Sequence, residues 1–90
     1  MEGIILYDFM YKDLGLKGCE LLVYAVIHDY TWVKGGFSGS LKCLEEYTGY
    51  TQINICRVLK KLVDKGYIRK TVINERSIKY RTTWCETSSN

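Results

Sequence analysis

Residues 49–68 read GYTQINICRVLKKLVDKGYI, and their pattern decides the fold. Thr51 is a residue type that starts helices, because its hydroxyl accepts a hydrogen bond from an amide that the first turn leaves unpaired. Beyond it Ile55, Val58, Leu59 and Leu62 recur at i, i+3, i+4 and i+7, one face of a helix with a 3.6-residue period. No proline interrupts them and Gly66 ends the run, so a helix is expected from Thr51 to Lys65. Its other side is left with Gln52, Asn54, Arg57, Lys60 and Lys61, all polar.

Working outward, Ser40 stands before Leu41 as a second cap, and LKCLEEYT reads as a short helix with Leu41, Leu44, Tyr47 and Thr48 inward, stopped by Gly49. Lys17 to Tyr30, KGCELLVYAVIHDY, reads as a third helix. Its apolar run from Leu21 to Ile27 is wider than the stripe a surface helix needs, so this helix is central or partly at an interface. Between the two, Thr31 to Ser38 offers a Gly-Gly turn joining β-prone pieces, which predicts a small hairpin or lone strand. At the start, GIILYDFM (3–10) is apolar and suits either a short strand or a docking arm within an amino-terminal segment 1–13.

After Gly66, Tyr67 to Ile73 is β-prone, Asn74-Glu75 is a turn, and Arg76 to Trp84 alternates. Ile78, Tyr80 and Trp84 fall on one side, Lys79, Arg81 and Thr83 on the other, predicting a hairpin with one basic face. Residues 85–90 form a polar tail. The expectation is one domain over 1–90, mainly α with a small β-hairpin.

Composition bounds what such a domain does. A chain of 90 residues holds one small core, and 47% hydrophobic with 26% charged residues is an ordinary globular mix. A membrane span needs roughly 20 apolar residues in a row. Leu21 to Ile27 falls far short, so no membrane partner is expected. Met1 is followed by Glu2 and Gly3 rather than a basic and hydrophobic leader, which makes the cytoplasm the expected location.

The glycines at 35, 36 and 39 are followed by no Gly-Lys-Ser/Thr, and Cys19, Cys43, Cys56 and Cys85 contain no C-x-x-C pair. With His28 as the single histidine, read as an ordinary helix-end residue, neither metal nor other cofactor is expected. The cysteines read as buried, reduced thiols. No nucleophile stands with a recognisable base, so the chain is not expected to be an enzyme.

Charge is uneven. Residues 1–50 carry four Lys/Arg against seven Asp/Glu, a net −3, while residues 51–90 carry nine against three, a net +6. An imbalance of this size points to an anionic partner for the second part.

The order of helix, short strand, short helix, tight turn, longer polar-faced helix and basic hairpin resembles the winged helix-turn-helix. Leu16 followed by ELLVYAVI, then Gly36-Phe37 leading into SLKCLEEYTGYTQINICRVLKKLVDKGYI, is similar to the amino-terminal domains of phage and plasmid replication initiators. It is more distantly similar to regulators of the multiple-antibiotic-resistance type. Glu45 and Thr48 depart from that pattern, which has a small and an apolar residue at those places.

The resemblance implies double-stranded DNA as partner, with the Thr51–Lys65 helix in the major groove and the 67–84 hairpin as a wing on backbone or minor groove. The role implied is replication initiation or transcription regulation. Thr51, Gln52, Asn54 and Arg57 occupy the end that reads bases, where amides suit adenine and Arg suits guanine. Lys60, Lys61, Lys65, Arg69, Lys70, Arg76, Lys79 and Arg81 supply phosphate attraction, with Arg76 beside the turn able to enter a minor groove. Tyr24, Tyr47 and Tyr67 read as packing rather than as base-stacking platforms.

A winged helix used only for protein–protein interaction is the alternative. A homodimer is also expected, because the first long helix, GIILYDFM, Trp32 and Trp84 together exceed what one small core covers; the competing expectation is that GIILYDFM folds back over that helix.

Overall fold

A computed structural model of the chain describes residues 3–83. The expectations for Trp84, Cys85 and the 85–90 tail lie outside these residues. In chain order the elements are α1 (Asp8–Lys12), α2 (Cys19–Lys34), α3 (Leu41–Thr48), α4 (Gln52–Asp64), β1 (Ile68–Asn74) and β2 (Ser77–Thr82). The domain is mainly helical, with a two-stranded antiparallel hairpin.

The two helices with strong local signals form where the sequence puts them. Ser40 accepts from the Cys43 amide and Thr51 from the Asn54 amide, each closing one orphan donor of a first turn. Gly49 and Gly66 follow with φ near +79°, a left-handed geometry that lets the chain leave each helix without a Cβ clash. Ile55, Leu59 and Leu62 are buried and Val58 is half-buried, so the 3.6-residue period identified the right face.

α2 is the centre of the molecule and packs against α1, α3, α4 and β2. Val23 to His28 are buried in succession, which only a helix covered on several sides achieves. Tyr30 and Tyr47 join α2 to α3 through hydroxyls 2.9 Å apart, and that hydrogen bond, more than burial, pushes the Tyr30 phenol up to about 12.

Two expectations are corrected. Thr31 to Lys34 is neither strand nor hairpin but the last turn of α2, and Gly35 in the left-handed region closes it. The β-prone Thr31 is helical because its hydroxyl has tertiary work: it donates to the Ile27 carbonyl at 2.7 Å and accepts from the buried Thr82 amide at 3.0 Å. What remains of the strand is a single bridge between Phe37 and Tyr80. Gly36 is required at that corner, since a Cβ there would stand 2.8 Å from Lys79 Cγ.

The second concerns the start, where a strand and a docking arm are both open and only the strand is excluded. GIILYDFM is not a strand: Asp8–Lys12 is a short helix whose Met10 is fully buried, and Ile4 and Phe9 pack against the same core. The segment thus folds back over α2, while Ile5, Leu6 and Tyr7 stay exposed, as do Trp32 and Val33 on α2.

His28 is likewise no helix-end residue. It is buried in α2, with Nδ1 3.1 Å from Thr82 Oγ1 and Nε2 accepting from the Trp32 indole at 2.9 Å. Indole N–H only donates, so Nε2 is unprotonated and the ring proton sits on Nδ1, facing Thr82. Burial lowers the His28 pKa, against a smaller upward pull from Asp29.

Candidate nucleic-acid interface

The outward side of α4 follows from its core face. With Ile55, Leu59 and Leu62 inward, a rotation of about 100° per residue brings Ile53, Arg57, Lys60 and Asp64 together on the opposite side. All four are exposed, Ile53 at 72%. Cys56 is exposed next to them, which corrects the expectation of a buried thiol; its apolar sequence neighbours misled, whereas the helical period already placed it outside the core. Cys19 and Cys43 are half-buried and free, and burial more than the neighbouring Glu20 raises the Cys19 pKa.

The expected site residues divide into groups. Thr51 spends its hydroxyl on the cap, and Gln52 donates to Glu45 at 3.3 Å. Asn54 and Arg57 are exposed at the amino-terminal part of α4. Lys60, Lys70 and Arg76 line one cleft between α4 and the hairpin. Lys61 points elsewhere, forming a 2.7 Å ion pair with Glu20 at the start of α2.

The hairpin carries its cations on both faces. Its register pairs Lys70 with Tyr80 and Ile68 with Thr82 on one face, and Arg69 with Arg81 and Thr71 with Lys79 on the other. Lys79 and Arg81 are half-buried, Lys79 lying over the Gly35-Gly36 corner and Arg81 with its Nε buried without a hydrogen-bond partner. The expected alternation holds, with Lys79 and Arg81 opposite Ile78 and Tyr80 and joined by Arg69 on the basic face, while Lys70 falls on the Ile78 side and joins Lys60. Thr82, which shares the Ile78 and Tyr80 side, is the most deeply buried residue of the strand.

The turn is built by Asn74, whose Oδ1 accepts from the Arg76 amide at 2.9 Å and sets Arg76 at the hairpin tip. Val72 and Ile73 beside it are exposed. Sequence reasoning had passed over Ile53, Cys56 and this apolar tip; for the first two the signal was the same helical period that gave the core.

Glu45 and Thr48, the two departures in the short helix, both have local partners. Glu45 accepts from Gln52, and Thr48 donates to the Leu44 carbonyl and accepts from the Tyr50 amide, which stiffens the turn between α3 and α4. Among the described residues no group of three or more His, Cys, Asp or Glu side chains could hold a metal, and no helix is long and apolar enough to cross a membrane. No family model, curated protein or solved structure matches this chain.

Proposed function

We propose that this domain is a winged helix-turn-helix that binds double-stranded DNA, as a replication-initiation or transcription-regulation module and not as an enzyme. The observation that carries the reading is the exposed side of α4, where Lys60 lines a cleft with Lys70 and Arg76 of the hairpin, Arg57 lies one turn away on the same side of the helix, and Asp64 is the nearby carboxylate. α4 enters the major groove by its amino-terminal half. Asn54 and Arg57 then meet base edges, and Ile53 offers an apolar contact suited to a thymine methyl. Lys60, Lys70 and Arg76 take phosphates, and the Val72-Ile73 tip lies along the minor groove.

Gln52 and Lys61 contribute less than their residue types suggest, because Glu45 and Glu20 already engage them. A salt titration against arbitrary duplex tests the reading. With the three phosphate-facing cations engaged, log K falls against log salt with a slope of about −2.7. A flat response would refute DNA binding and leave the protein-interaction alternative.

A further inference from the structure

A cleft of about 730 Å³ opens between the segment after Phe37, one flank of α4 and the inner face of the hairpin. Its floor is apolar, made by the buried Phe37, Leu44 and Leu59 together with Leu41 and Ile78. Its rim is cationic, with Lys60, Lys70 and Arg76 against Asp64 alone.

The cleft also borders an open strand edge. Phe37 N–H donates to the Tyr80 carbonyl at 2.6 Å and Tyr80 N–H to the Phe37 carbonyl at 2.8 Å. Opposed residues of an antiparallel pair alternate between sharing two such bonds and sharing none. Tyr80 directs both its groups to Phe37, so it shares none with Lys70, and two residues away Ile78 shares none with Val72. The amide and carbonyl of Ile78 therefore point to the outer edge of β2, on the Phe37 side. Had the pairing continued, Gly39 would have faced Ile78. Instead the chain departs to cap α3 at Ser40, and among the described residues no backbone hydrogen bond joins Ser38 or Gly39 to β2.

We propose that this cleft receives an extended acidic and aliphatic segment of a partner protein. The segment adds as a strand at the β2 edge, exchanges backbone hydrogen bonds with Ile78, and sends alternate side chains onto the apolar floor. Charge complementarity selects the occupant: the Lys60, Lys70 and Arg76 rim favours carboxylates, and the floor requires aliphatic side chains that a sugar-phosphate backbone does not have. Because those three cations also belong to the proposed DNA face, the segment and duplex DNA exclude one another.

The probe is a fluorescein-labelled peptide of about six residues alternating glutamate and valine, long enough to span about 20 Å as a strand. Its control alternates lysine and valine. Binding is followed by anisotropy and by amide chemical shifts of the full chain without DNA, so the outcome is separate from that of the DNA titration. The glutamate peptide is expected to bind, to shift the amides of Ser38 to Leu41, Ile78 and Tyr80, and to slow exchange at the Ile78 amide.

Lys70→Glu with Arg76→Glu, both exposed, is expected to weaken binding about tenfold or more. Ile78→Pro removes the edge donor without removing a β1–β2 bond, a placement that strands tolerate, and is expected to weaken it similarly with an unchanged circular dichroism spectrum. Equal binding of the lysine peptide, no shift at Ile78, or full binding by a folded Ile78→Pro variant would each overturn the proposal. So would failure of the glutamate peptide to bind while duplex DNA shifts the same amides, which would make the cleft part of the nucleic-acid face.

Discussion

Replacing Thr31 by valine probes the joint that fastens the hairpin to the central helix. The Thr31 hydroxyl donates to the Ile27 carbonyl at 2.7 Å, which leaves it an acceptor for the Thr82 amide at 3.0 Å. Thr82 is fully buried and its own hydroxyl meets His28. Valine keeps the volume of threonine but has no lone pair, so the Thr82 amide stays buried with no acceptor.

An orphaned buried donor costs about 1–3 kcal/mol. In a domain of this size each kcal/mol moves Tm by about 4–8 °C, so Thr31→Val is expected to lower Tm by about 4–24 °C. Thr31→Ser keeps the hydroxyl and loses one methyl, worth about 0.8 kcal/mol, and is expected to fall by less. Thermal melts at neutral pH give the order, and hydrogen exchange at the Thr82 amide reports the bond directly. A valine variant as stable as the parent, or a serine variant that is worse than valine, would refute the assignment of this joint to the hydroxyl.

Arg57→Ala is expected to cost about 1–3 kcal/mol on a specific duplex and less on random DNA, read by parallel titrations; equal losses would reduce Arg57 to a phosphate contact. Leu59→Ala opens a cavity under α4 and is expected to cost about 2–5 kcal/mol, seen as a lower urea midpoint at unchanged slope. The lowered His28 pKa gives a pH dependence. The folded chain binds that proton less readily than the unfolded one, so the stability from neutral His28 is complete above 6.5 and is lost as pH falls through the lowered folded value. Melts of the parent and of His28→Gln should therefore diverge in slope below that pH, and parallel curves would show that His28 does not titrate on unfolding.

Much of the site's scaffold was legible because its causes are local. A cap hydroxyl acts on an amide three residues away and a helical period is counted along the chain, so α3, the turn at Gly49 and the core face of α4 were readable from residues 40–66. The same period placed Arg57 and Lys60 outward. Which cations stand together was not readable, since that depends on partners far along the chain: Glu20 engages Lys61 across 41 positions, and the Lys70–Tyr80 register puts Arg69 and Arg81 on the opposite face.

By itself, then, the sequence determined the two helices α3 and α4 with the tight turn between them, the hairpin that follows and the charge imbalance between the two parts, each a property of neighbouring residues. Only the tertiary structure decided that Thr31 to Lys34 is helix and that residues 8–12 coil over α2. Thr31 has modest helical preference, and the hydrogen bond it accepts from the Thr82 amide, 51 positions away, overrides it. Met10 and Phe9 gain an apolar surface only once α2 is in place. The open edge at Ile78 has the same origin, because the chain that pairs with Tyr80 at Phe37 is then drawn away by the cap that Ser40 makes for α3.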